Sequence, residues 1–246
     1  RRRHSFPTRR SSDLLDYNAT APLVAEARQA MLGAMDLTGN ASSIHSYGRE
    51  VRKQIEQARS IIGTSLNCDP THIAFTGGAT ESNNWVLNGV PAKRILVSAI
   101  EHPSIYDSNV PHKKIPVTCD GVVDMSALAE LLHQTSDKTL VCVMWVNNET
   151  GVIQPIEEIA DLCRKNAALL HVDAVQAFGR IPIDLQKNQI DFLSLSAHKI
   201  GGPAGIGAMV YNHDITVNKF IHGGGQERRR RAGTENFIGI TGFAAA

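Results

Sequence analysis

Lys199 closes the stretch Ser194-Leu195-Ser196-Ala197-His198-Lys199 and is followed by Ile200-Gly201-Gly202-Pro203, through which no helix continues. Residues 191–196 alternate as a strand does and residues 206–211 resume as another, so Lys199 is predicted on a turn between two strands. Upstream, Ala168-Leu169-Leu170-His171-Val172-Asp173 is an apolar run ending in a carboxylate, with Gln176 three residues on. Open α/β sheets hold their ligands at the carboxyl ends of strands. An amine able to form a Schiff base and a carboxylate able to pair with a ring nitrogen are two groups that pyridoxal 5'-phosphate (PLP) requires. Singly, each is as well explained as a surface lysine or a capping aspartate; together they point to chemistry.

Three further stretches stand at element ends. Gly77-Gly78-Ala79-Thr80 leads from the short strand 73–76 into a helix, where free N–H groups and the helix dipole suit a phosphate, although such a turn can be purely structural. His102 follows the strand 94–98, and Asn147-Asn148 follows residues 140–146, whose unbroken apolarity marks a strand buried on both faces. Residues 222–236 place four consecutive arginines, Arg228 to Arg231, between glycine-rich turns.

His171-Val172-Asp173-Ala174-Val175-Gln176 followed by Ser196-Ala197-His198-Lys199 resembles the PLP-dependent class V aminotransferases, and within them the cysteine desulfurases of the iron–sulfur-assembly and nitrogen-fixation type. The likeness runs from about Leu15 to Ala246. It implies that Lys199 carries the cofactor and moves the substrate α-proton, and that His102 stacks on the ring, these two being catalytic. It also implies that Asp173 pairs with the ring nitrogen, Gln176 with the phenolic oxygen and Asn148 with substrate or cofactor. Ala79, Thr80, Ser196 and His198 would hold the phosphate, and Thr234 the phosphate of a partner subunit in a homodimer. Arg229 stands where many relatives have glycine. L-cysteine is the implied substrate, alanine the product, and a sulfur-acceptor protein such as an iron–sulfur scaffold the partner.

These residues need a frame. Strands near residues 73, 94, 140, 169 and 192 alternate with helices, which predicts an α/β fold: a mainly parallel sheet covered by helices, the large PLP-binding domain of a fold type I enzyme. Pro22 suits the first turn of a helix with Val24, Ala27, Met31 and Met35 on one side. A second amphipathic helix, residues 48–66, carries Val51, Ile55, Ala58 and Ile62 on its inner stripe, leaving its Arg and Glu residues as a solvated face.

At 42% hydrophobic content, with no apolar run of about eighteen residues, the chain is expected to be soluble, with no membrane partner. Cys68, Cys119, Cys142 and Cys163 form no CxxC pair, so neither a zinc or other metal site nor a disulfide framework is expected, and a cytoplasmic setting is. Residues 1–14 differ in composition from the rest, and residues 5–14 read as a translated sequencing adapter, so this segment is expected to be non-native. Removing its five arginines and one aspartate from totals of 25 basic and 24 acidic residues leaves 20 and 23, a net of −3 and no electrostatic case for nucleic acid.

Residues 15–246 are then one PLP-binding domain with its leading segment. None of the four cysteines sits in a motif matching the sulfur-accepting loop of the desulfurases, and their C-terminal substrate-binding arginine has no counterpart. A missing C-terminal small domain is therefore expected. Another class V enzyme, such as a selenocysteine lyase, remains open. So does a phosphate- or nucleic-acid-binding module without catalysis, although it leaves Asp173, Gln176 and Lys199 unexplained.

Overall fold

The computed structural model describes residues 16–211 and 215–246. The segment 1–14 and Leu15 lie outside the described residues.

Seven strands form one sheet in the order β1 (Ile73–Thr76), β7 (Gly207–Tyr211), β6 (Phe192–Ser196), β5 (Leu169–Asp173), β4 (Thr139–Met144), β2 (Arg94–Ser98) and β3 (Lys113–Ile115). Only β7 runs against the others, pairing antiparallel with both β1 and β6, so the other six share a direction. Every residue of β1, β4, β6 and β7 is buried, as strands covered on both faces must be.

Two apolar layers sandwich the sheet. One contains Val51, Ile55, Ala58 and Ile62 of α2 (Ser46–Ser65), Leu128 and Leu131 of α5 (Met125–His133), Ile156 and Ile159 of α6 (Ile156–Lys165), and Ile240 and Phe243 of α9 (Phe237–Ala245). The other is built on Trp85, Val86 and Leu87 of α3 (Ala79–Gly89) and Ile105 of α4 (Pro103–Tyr106). Asp124 caps α5 by accepting from Ser126 N and Ala127 N at 3.0 Å, and Asp184 does the same for α7 (Leu185–Asn188). Among the described residues no helix is long and apolar enough to cross a membrane.

Two expectations need correction. Pro22 is not in the first turn of α1 (Ala25–Met35), whose N-cap is Val24; residues 21 and 24 instead donate to the carbonyls of His198 and Gly201 at 2.9 Å. The stretch before α1 is thus extended and tied to the Lys199 turn, and Met35 is exposed. The second correction concerns Arg59 on the supposedly solvated face of α2. It is buried and forms two hydrogen bonds, of 2.8 and 3.1 Å, with the equally buried Glu227.

Glu227 belongs to α8 (Gln226–Arg229), a one-turn segment in which Glu227, Arg228 and Arg229 have φ of 43°, 56° and 66°. The arginine at 229 therefore adopts the left-handed backbone that a glycine would take without strain. Glu227 holds the turn by also accepting from Phe75 N at 2.9 Å, which fixes it to β1.

Candidate active site

Because β1, β2, β4, β5 and β6 are parallel, their carboxyl ends meet at one edge of the sheet. There a cleft of about 700 Å³ opens, bounded by Ala79, Thr80, His102, Asn148, Asp173, Gln176, Ser196, His198 and Lys199 among others. Nine of the ten residues singled out from the sequence thus share one cavity, although they come from five different strand ends. Thr234 is the exception: it is exposed and does not line the cleft.

Asp173 ends β5 on the cleft floor at 5% exposure. Its Oδ2 accepts from Asn83 Nδ2 at 2.8 Å and its Oδ1 from Val175 N at 3.0 Å. Burial raises its carboxyl above the usual range, opposed by these hydrogen bonds and by the charges of His102 and Lys199. A cation at this floor would favour the ionised form.

Lys199 ends a single 3₁₀ turn after β6. Its Nζ donates to the carbonyls of Asn18 and of Ala19, the latter at 2.9 Å. Partial burial lowers its pKa, Arg180 lowers it further, and Asp16 and Asp173 work the other way. The neutral, nucleophilic amine is correspondingly easier to reach. Gln176 is fixed on both sides, donating to Asn18 O at 2.9 Å and accepting from Arg180 Nη1 at 2.5 Å. His198 hydrogen-bonds Thr20 Oγ1 at 3.3 Å, and its pKa is lowered by burial and then by Lys199.

The opposite wall is the start of α3. Its N-cap Gly78 has φ 149° and no side chain caps the first turn. Gly207 at the start of β7 lies directly beneath, where a Cβ would approach Gly78 Cα to 2.8 Å, so the two backbones need glycine to pass this closely. An uncapped helix start of small residues, beside Ser196 and His198, suits a phosphate. A phosphate cradle, a buried carboxylate and an amine of lowered pKa around one cavity fit PLP.

Sequence reasoning missed several members of this constellation. Asn83 joins Asp173 to Ser104, and Ser104 meets His102 Nδ1 through its Oγ at 2.8 Å and its N at 3.1 Å. The available signal was a polar residue on the buried stripe of α3, in phase with Val86 and Leu87. Asn18 and Arg180, which position Gln176, left no such signal. The arginine run also differs from a free cationic patch: Arg231 makes a two-point ion pair with Glu81 at 2.8 and 3.0 Å, and Arg230 stacks 4.2 Å from the Tyr211 ring.

Residues 14–246 match the family described as aminotransferase class V. The chain belongs to that family. Among its relatives, an IscS-like cysteine desulfurase of Mycobacterium tuberculosis is 38% identical over 94% of this chain and 63% of its own length. A cysteine desulfurase of Sinorhizobium fredii is 43% identical, with the same coverage of both chains. The X-ray structure of a NifS-like protein from Rickettsia africae superposes with a TM-score of 0.88 at 41% identity, covering 94% of this chain and 66% of that one. The chain thus spans about 63% of the length of the first two relatives. The class V family is PLP-dependent, and the mostly parallel seven-stranded sheet is that of fold type I PLP enzymes.

Proposed function

We propose that residues 15–246 are the PLP-binding domain, with its leading segment, of a cysteine desulfurase that converts L-cysteine to L-alanine and passes the sulfur, as a persulfide, toward iron–sulfur cluster assembly. The observation that carries this is the meeting of Lys199, Asp173, Gln176 and His102 with the Thr80, Ser196 and His198 wall in one cleft. Bound PLP would withdraw electrons from the substrate α-carbon while its ring nitrogen stays protonated. Asp173 would keep that proton by charge pairing, which its burial makes strong. Gln176 would present an amide to the phenolic oxygen, and His102 would cover the ring. Lys199 would hold the cofactor through Nζ and, once released, move the proton at the substrate α-carbon. Ala79 and Thr80 N–H groups, Ser196 and His198 would bind the phosphate, and Asn148, which lines the cleft, would meet the substrate or the cofactor.

The exposure of Thr234 supports a homodimer in which it serves the partner's phosphate, with an isologous interface. Four free cysteines support a reducing compartment, the cytoplasm, with a soluble sulfur-acceptor protein as partner. The internal pairing of Arg230 and Arg231 speaks against a nucleic-acid module. Titrating the protein with PLP tests the reading. A visible band of lysine-bound cofactor should appear and be absent in Lys199→Ala; borohydride should bleach it, because the C=N bond is reduced to an amine, and leave the cofactor attached to the protein through dialysis. No band in the unsubstituted protein, or an equal one in the variant, would sink the proposal.

A further inference from the structure

Beneath the cleft, Glu101 is buried to 8% exposure between Ile100 and His102. One of its oxygens, Oε1, accepts from Met144 N at the end of β4; the other, Oε2, is buried with no hydrogen-bond partner among the described residues. Met144 is in register with Asp173 on the neighbouring strand and lines the cleft, and the charge of Asp173 reaches the Glu101 carboxyl held on Met144 N. Among the described residues, the titratable groups that interact with it are Asp173 on β5 and Cys142 on β4, and neither supplies a positive charge.

An ionised carboxylate in this position would be shielded from bulk solvent, with no paired cation among the described residues and a single donor, and it would feel the charge of a second carboxylate. Each of these conditions disfavours the charged form. We infer that Glu101 is a neutral carboxylic acid that anchors the His102 loop to β4 without adding a second negative charge beside Asp173. Burial, and then the charge of Asp173, hold its carboxyl far above the usual range, against a smaller opposing pull from the Met144 N–H.

Two consequences follow for the site, both resting on the PLP reading. A neutral Glu101 leaves the Asp173 charge free to pair with a ring-nitrogen proton, whereas two neighbouring carboxylates could not both ionise. The anchor also fixes where His102 leaves the loop, because Asn147 Nδ2 grips the preceding Ile100 carbonyl at 3.0 Å while Glu101 grips Met144. Glu101 does not itself line the cleft and is a positioning residue.

The test separates the protonation state from the cofactor reading. An acid whose folded pKa lies above its unfolded one lends stability that is complete below the unfolded pKa, about 4.3, and is lost as pH rises through the folded value. Glu101→Gln is isosteric with the neutral acid and cannot titrate. In PLP-free protein, the Tm of Glu101→Gln minus that of wild type should grow as pH rises from about 5 to about 8, by roughly 3–5 °C for each pH unit the folded acid remains protonated. A difference that does not change with pH, or one that shrinks, overturns the inference. So does a Glu101→Gln chain that fails to fold, since the amide mimics the proposed species.

With PLP, Glu101→Leu should bind more weakly and Glu101→Gln should restore the wild-type band and its pH titration. A band midpoint lowered in Glu101→Gln would mean that a negative charge had been removed and would refute the neutral acid. If no protein forms a band, the cofactor reading fails while the stability measurement still decides the charge of Glu101.

Discussion

Asn83 Nδ2 lies 2.8 Å from Asp173 Oδ2 and, with its second proton, 2.8 Å from Ser104 Oγ, so one amide joins the carboxylate on the cleft floor to the loop that carries His102. Having accepted from Asn83, Ser104 Oγ gives its own proton to His102 Nδ1, toward which Ser104 N–H also points. Two donors converge on Nδ1, so the neutral ring carries its proton on Nε2. Truncating Asn83 removes a donor to a buried carboxylate and releases Ser104. A hydrogen bond to a charged group contributes about 1.5–3 kcal/mol. Asn83→Ala should therefore weaken PLP binding by roughly 10- to 150-fold. Titration of the visible band measures this, and an unchanged Kd would show that Asp173 does not depend on the contact.

The lowered pKa of Lys199 makes a kinetic prediction. Capture of an aldehyde needs the neutral amine, so the rate of band formation should rise with pH through a midpoint below the roughly 10.4 of a free lysine. Removing Arg180, one of the causes of the shift, with Arg180→Ala should move that midpoint up. A midpoint at the free-lysine value in unsubstituted protein would contradict the effect of burial seen here.

Arg59 and Glu227 are 168 residues apart in sequence and, with side chains 3% and 2% exposed, form a buried ion pair under the arginine-rich turn. Glu227→Ala would leave the buried Arg59 guanidinium with only the half-exposed Glu56 carboxylate and the Ile73 carbonyl, and Phe75 N without its acceptor, a loss of about 3 kcal/mol. Urea unfolding measures it, and the Arg59→Met, Glu227→Met double variant should lose less than Glu227→Ala alone. If the double variant loses as much as the single, the pair is not the source of the effect.

His171 is fully buried in β5, its Nε2 on Ser194 Oγ at 2.9 Å, and burial pushes its pKa down to about 3. Between that value and the unfolded value of about 6.5, the unfolded chain binds the extra proton, so stability must fall as pH drops through this window. The contribution is about 1.4 kcal/mol per pH unit. His171→Asn should flatten the acid limb of a Tm-against-pH curve relative to wild type; a parallel limb would mean that the imidazole titrates normally.

What could be read from the sequence divides along a physical line. Lys199 and Asp173 were visible because each ends a short apolar run, and strand ends are where a parallel sheet exposes its reactive edge. Asn83, Glu101 and Arg59 were not, because a helix stripe or a loop does not say which distant backbone or carboxylate it will meet. The reversed direction of β7 was equally hidden, since periodicity carries no information on strand polarity. Pro22 was misplaced for a related reason: the hydrogen bonds from residues 21 and 24 to the Lys199 turn override a favourable local helix start.

The last prediction concerns sulfur. Desulfuration requires a thiolate that can reach the substrate sulfur, and the thiolate, not the thiol, is the nucleophile. None of the four cysteines lines the cleft. Burial pushes the Cys68 thiol up to about 11 and that of Cys163 up to about 12, and it holds Cys142 well above the ordinary range, so these three remain protonated at neutral pH. Cys119 is exposed, in the loop that links β3 to α5, away from the residues that bound the cleft. This 246-residue chain, loaded with PLP, should therefore form the visible band and exchange the α-proton of L-cysteine with deuterium, because both need only the cofactor, Asp173 and Lys199. It should release no sulfide above a Lys199→Ala control, while the 43% identical Sinorhizobium fredii desulfurase serves as the positive control in the same assay with a reductant. Sulfide release matching that relative would mean that one of the four thiols does reach the cleft, and the cysteine whose substitution by serine abolished it would be the acceptor.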